Sequence, residues 1–270
     1  MGLTYAGDQY QGYQSQANGR GVQNVVENAL AKIDASASRI TAAGRTDSGV
    51  HATAQVVSFE TPLQRTTTAW LRGLNSHLPA SVRVTWVREV RPGFNARFAA
   101  TGRRYIYLFL EGEAGPLVLG RATATAVLND AAMHRAAQCL VGEHDFSSFR
   151  ASTCQSPTAQ RRVDHVRVGR IGPWITIDVA ANAFLLRMMR NIAGALRSVG
   201  LGEWSEDAIQ TLLFARDRTR LGRTAPPDGL YLVEVRYPSE LLLHDSDRDL
   251  GFPAGVLPPF LAHSGTLDRL

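Results

Sequence analysis

Lysine is nearly missing from this chain of 270 residues: Lys32 stands alone, and the other 28 of the 29 basic residues are arginine. A GC-rich genome yields that bias with no function attached. The other reading is that the planar guanidinium fork suits phosphates and base edges. Cysteine is almost as scarce. Cys139 and Cys154 cannot build a disulfide framework, and two reduced thiols are expected in a cytosolic chain. No apolar run approaches about 18 residues, so no transmembrane helix is expected. The start, MGLTYAGDQY, has no basic or apolar signal region, and Ala6 stands where a myristoylation signal needs Ser or Thr. The cytoplasm is therefore the expected compartment, with no membrane. Several reactive signatures are missing too. There is no P-loop and no G-x-S-x-G elbow, and Gly200 and Gly202 are followed by Ser205 rather than a third glycine. Neither C-x-x-C nor H-E-x-x-H occurs, so zinc has no support.

What is present is an ordinary globular composition, 44% hydrophobic and 20% charged, long enough for one large domain or two smaller ones. The net charge is +5, but it is uneven: beyond Tyr237 two arginines face five acidic residues, a net of −3 that leaves +8 on residues 1–237. A basic body of this kind suggests nucleic acid as a partner.

Val22, Val25, Val26, Ala29, Leu30 and Ile33 recur at helical spacing, and a second helix is predicted near Thr67 to Ser76. Val56–Phe59 and Val82–Val90 read as strands. Tyr105, Tyr107 and Phe109 alternate with Ile106, Leu108 and Leu110, which predicts a strand buried on both faces. Asn129 is placed to cap a helix ending before Gly142. Strands near Val163–Val168 and Trp174–Val179 precede an apolar stripe from Phe184 to Val199, then a short helix near Glu206–Phe214 capped by Ser205, and a last strand at Leu230–Val235. The expected class is α+β: two similar halves, residues 1–100 and 101–237, with mostly antiparallel sheets covered by helices, and an acidic tail over 238–270.

The decapeptide Ala43-Gly44-Arg45-Thr46-Asp47-Ser48-Gly49-Val50-His51-Ala52 stands out. Its plain reading is a tight turn in which Asp and Ser bond their own backbone and Gly supplies a positive φ. Its functional reading is a carboxylate on a rigid loop beside an arginine, with small neighbours that leave room for a substrate. Further along come Phe94-Asn95-Ala96-Arg97-Phe98, Arg103-Arg104-Tyr105, Gly142 to Phe149, Asn182 to Ile192, and Ala225-Pro226-Pro227 to Leu232.

In that order these blocks resemble the TruA family of tRNA pseudouridine synthases, whose loop reads A-G-R-T-D-x-G-V-H. The N-terminal block departs from the family's Y-D-G…G-W-Q: here it is Tyr5-Ala6-Gly7…Gly12-Tyr13-Gln14, a change that bears on RNA docking. The resemblance implies isomerisation of uridine to pseudouridine in the tRNA anticodon stem-loop, around positions 38 to 40, without a cofactor and by a homodimer. It implies Asp47 as nucleophile, with three routes open: addition to the uracil ring, attack at the ribose anomeric carbon, or elimination to a glycal. It further implies Tyr105 against the base, Arg190 paired with Asp47 in a cleft between the halves, Arg45 on phosphate or folded on its loop, and Leu232 as a pocket wall. From pattern alone, Tyr105 and Tyr107 are better read as sheet core, Leu232 as either pocket wall or sheet core, and Arg190 as a solvated helix residue. A synthase for another RNA and a non-catalytic RNA-binding module are the competing readings; the intact Asp47 loop disfavours the second.

Overall fold

A computed structural model of the chain describes residues 1–238 and Leu241. Ten strands and five α-helices among these residues make an α+β protein. Two compact units emerge, one of Met1–Thr101 with the described residues from Leu232 on, the other of Gly102–Tyr231. The sequence division carried the second half to residue 237, whereas Leu232 onward groups with the first unit. The reason is local bonding: Thr101 N donates to Arg236 O at 2.8 Å, and the Tyr237 hydroxyl donates to Ala96 O at 2.6 Å. The acidic tail lies outside the described residues apart from Pro238 and Leu241.

In the first unit, strands β1 (Gly2–Tyr5), β3 (His51–Ser58), β4 (Val82–Trp86) and β10 (Leu230–Arg236, in this unit from Leu232 on) run in the order β4-β1-β3-β10, and the short β2 (Thr41–Ala42) pairs with β3. Helix α1 (Val22–Ala31) packs on α2 (Thr67–His77), which packs on β4. The apolar spacing read in α1 is met by burial of Val22, Val26, Ala29 and Leu30, while Val25 stays half-exposed. Thr66 caps α2 by accepting from Ala69 N.

In the second unit, β5 (Gly102–Glu111), β9 (Trp174–Ala181), β8 (Gln160–Ile171) and β7 (Gly142–Asp145) form an antiparallel run in that order, with β6 (Thr123–Thr125) parallel to β5. As the alternation predicts, Tyr105 to Leu110 are all buried. The β8–β9 hairpin turns through Gly172, at φ +56°, and Pro173. Helix α3 (Asp130–Ala137) is capped by the Asn129 side chain and packs on β8 and on α4 (Met188–Gly200). The apolar stripe read from Phe184 becomes helical only at Met188, because Arg187 sits in the left-handed region at φ +60°. Leu185 is buried all the same. Helix α5 (Ala208–Ala215) takes Asp207 as its cap rather than Ser205, whose carbonyl accepts from Ala208 N.

Candidate active site

The Asp47 loop joins β2 to β3. Its turn closes through Val50 N to Asp47 O at 3.1 Å, with Gly49 at φ +82°, a value that favours glycine. Asp47 is half-buried, and its neighbours Arg45 and Ser48 are exposed.

The backbone of this loop is held from beneath by the N-terminal segment. Tyr13 N donates to Thr46 O at 3.0 Å, and Ser48 Oγ donates to Tyr10 O at 3.1 Å. Gly7 N donates to His51 Nδ1 at 3.0 Å, which places the ring proton of a neutral His51 on Nε2. The Tyr5 and Thr46 hydroxyls share a bond of 2.8 Å, and Gln55 Nε2 donates to Gly44 O at 2.7 Å. Two glycines permit the approach. A Cβ on Gly7 would stand 1.9 Å from Val50 O, and Gly12, at φ +90°, would place one 3.0 Å from Thr46 O. Burial pushes the Tyr5 phenol up to about 12 against the lowering effect of its bonds to Thr46 and Gln55, so this phenol stays uncharged. The resulting arrangement is a carboxylate on a preorganised loop, as a nucleophile needs.

Tyr13 is part of this support. It is 2% exposed and packs on Tyr5 with ring centroids 6.2 Å apart. The residue that departs from the family pattern here is thus buried beneath the loop. Sequence reasoning passed over Tyr5 and Gln55 as supports. The signal available was the glycine pair Gly7 and Gly12, which marks close backbone approach.

In the second unit, Arg190 lies on the first turn of α4. Its Nε donates to Ala225 O at 2.8 Å, and its carbonyl accepts from Ala225 N at 3.1 Å. The Arg223–Ala225 segment lies directly on α4 because residue 194 is glycine: a Cβ there would meet Arg223 O at 2.2 Å. Thr224 Oγ1 donates to Asn191 Oδ1 at 2.7 Å, and the fully buried Asn191 donates to Phe149 O at 2.8 Å. Arg190 is thus a half-buried, oriented guanidinium, not the freely solvated helix residue of the plain reading. Asn191 and Gly194, which hold this arrangement, were not singled out from sequence.

Tyr105 is 8% exposed and meets Phe184 edge to face at 4.8 Å. Tyr107 is fully buried, shares a bond with Thr123 Oγ1 and donates to Pro226 O, both at 2.7 Å. Burial raises its phenol well above the ordinary value. It is core, as the plain reading had it. Beside Tyr105, Arg104 grips the buried Asp178 with Nε and Nη2 at 2.8 and 2.7 Å, and His165 Nε2 lies 3.2 Å from the same carboxylate. Leu232 is fully buried on β10. Among the described residues no group of three His, Cys, Asp or Glu side chains could hold a metal ion, and no helix is long and apolar enough to cross a membrane.

A family model described as tRNA pseudouridine synthase matches residues 3–99 and 136–238. Proteins named tRNA pseudouridine synthase A are similar over most of the chain. The one from Photorhabdus laumondii is 46% identical over 265 residues, 97% of each chain. The one from Aeromonas salmonicida is 48% identical over 90% of this chain and 91% of its own, and that of Escherichia fergusonii 47% over 88% and 89%.

Proposed function

The chain belongs to the tRNA pseudouridine synthase family, and from that premise we propose that it isomerises uridine to pseudouridine in the anticodon stem-loop of tRNA, around positions 38 to 40. The observation that carries this reading is the Asp47 loop, clamped by the bonds from Tyr5, Tyr13, Gly7, Ser48 and Gln55 so that one carboxylate is presented on a fixed backbone.

The reaction breaks the bond from ribose C1′ to N1 and forms one from C1′ to C5. N1 gains a proton and C5 loses one, so the change is redox-neutral. A stem uridine has to leave its stack to be reached. Asp47 is the nucleophile, at the ring, at C1′, or through elimination to a glycal. Tyr105 lies against the base and assists proton transfer at C5. Arg190, oriented by the Ala225 carbonyl, is the proposed cationic partner of the Asp47 carboxylate. Arg45, exposed beside Asp47, contacts phosphate. Leu232 backs the base pocket from within its strand. Two copies of the chain act together, one RNA spanning their basic surfaces, in the cytoplasm.

The test is Asp47→Ala, purified free of host enzyme, on unmodified tRNA labelled with tritium at uracil C5. Tritium release is expected to vanish, while gel-shift affinity stays within a few-fold, because binding rests on many phosphate contacts. Appreciable turnover by the variant refutes the assignment. Release from RNAs lacking an anticodon stem-loop refutes the substrate.

A further inference from the structure

Phe98 is 79% exposed, yet the backbone around it is tied by hydrogen bonds. Asn95 Oδ1 accepts from both Arg97 N and Phe98 N, at 3.0 and 3.2 Å, and Ala99 N closes back on Asn95 O at 2.9 Å. Ala96, fully buried, donates its N–H to Ser58 Oγ at 3.1 Å and receives the Tyr237 hydroxyl on its carbonyl at 2.6 Å. Phe94 packs on the Tyr237 ring at 5.4 Å. A single exposed apolar residue is ordinary on any protein surface. This one differs in that its backbone is fixed on both sides while its ring is held out, and in the company it keeps.

That company is cationic. The Arg97 guanidinium carbon lies 5.5 Å from the Phe98 ring centroid, within cation–π range. Between residues 88 and 98 there are three arginines, Arg88, Arg91 and Arg97, against the single acid Glu89. Arg91 and Arg97 are both exposed. An apolar partner protein would gain little from a ring fringed by positive charge. A nucleobase gains from both: its face stacks on the ring, and the phosphates on either side meet the arginines.

We propose that Phe98, flanked by Arg97, is a stacking platform for an unpaired base of the RNA substrate. The proposal rests on the functional reading above and adds a contact remote in sequence from the Asp47 loop. It acts in binding, through stacking, and takes no part in the chemical step.

The experiment uses the full chain with an unmodified tRNA transcript. Phe98→Ala is expected to weaken gel-shift affinity about tenfold and raise KM by a similar factor. kcat and the melting temperature should stay at the wild-type values, because the ring is exposed. The salt dependence of affinity should keep its slope, since no cation has been removed. Phe98→Trp should restore affinity, and the emission of its added indole, taken as the difference from wild type with its four tryptophans, should be quenched by saturating tRNA. Wild-type affinity in Phe98→Ala, or difference emission in Phe98→Trp that is indifferent to tRNA, overturns the platform. Emission that changes with protein concentration in the absence of RNA assigns Phe98 to an interface between copies, and overturns it too. Normal wild-type turnover beside an indifferent Phe98→Ala sinks the platform alone. A wild-type chain that neither binds nor modifies the transcript sinks the functional reading and the platform with it.

Discussion

Gly194→Ala is a severe test of how the second unit orients Arg190. In an unconstrained helix interior the change would stabilise by about 1 kcal/mol, because alanine is the better helix former. Here the new Cβ would stand 2.2 Å from Arg223 O and 3.1 Å from Ala225 N, both backbone atoms, where ordinary contact begins at 3.4 Å. The Arg223–Ala225 segment must therefore retreat by about an ångström or more to restore ordinary contact. Overpacking of this kind costs about 1–3 kcal/mol. The retreat also strains three bonds, Arg190 Nε to Ala225 O, Ala225 N to Arg190 O, and Thr224 Oγ1 to Asn191 Oδ1, each worth about 1 kcal/mol. With overpacking near the middle of that range and the three strained bonds losing about half their value, the balance after the propensity gain is a loss of about 2.5 kcal/mol, or roughly 5–10 °C in melting temperature for a protein of this size. Turnover should fall further than stability explains, because Arg190 loses the carbonyl that aims it. Thermal denaturation followed by circular dichroism, with tritium release on folded protein at low temperature, measures both. A variant as stable as wild type, with unchanged turnover, would falsify the seating of this segment on α4 as the device that orients Arg190.

Arg190→Lys keeps the charge but loses the Nε that reaches Ala225 O, so turnover should drop about tenfold or more, with Arg190→Met lower still; equal rates for all three would return Arg190 to a plain surface role. Tyr13 Oη is buried with no hydrogen-bond partner among the described residues, so Tyr13→Phe should be neutral or stabilise by up to about 1 kcal/mol in urea melts. A loss of more than that would mean the hydroxyl holds a buried water. Asp178→Asn should cost about 3 kcal/mol at neutral pH, since a buried pair loses its anion. In the wild type, burial alone would raise the Asp178 carboxyl, but the bonds and charges of His165 and Arg104 outweigh it and hold it low. The stability it contributes is therefore complete above the ordinary carboxylate value near about 4 and is lost as pH falls through the lowered folded value. Stability curves of wild type and Asp178→Asn should converge in acid, and parallel curves would refute the ion-pair account.

Much of the local structure was written in the chain itself. The alternation from Tyr105 to Leu110 announced a strand buried on both faces, because a period of two leaves no polar side to expose. Asn129 announced its helix start, because its side chain can accept from the third residue on. The Asp47 loop was legible for a related reason: glycines bracketing Arg-Thr-Asp-Ser impose a tight turn whatever surrounds it. Short pairings such as β2, β6 and β7 were not legible, since such brief segments carry no period and take their form from the strand they join.

What tertiary structure alone decided is the support of each candidate residue. Nothing in the spacing of Tyr5, Tyr13 and Gln55 says that they meet under a loop that lies far along the chain from the first two. The contact exists because β1 pairs with β3 and because Gly7 and Gly12 let backbone approach backbone. Arg190 reads from sequence as one more charged residue on an amphipathic helix, and it becomes an aimed guanidinium only because Gly194 admits the Arg223–Ala225 segment. The return of Leu232 onward to the first unit was likewise invisible, since strand pairing is non-local and leaves no mark in the strand's own pattern. Periodicity and turn chemistry act between near neighbours and can be read off the chain, whereas hydrogen bonds and close approaches between distant segments depend on packing, which no local pattern encodes.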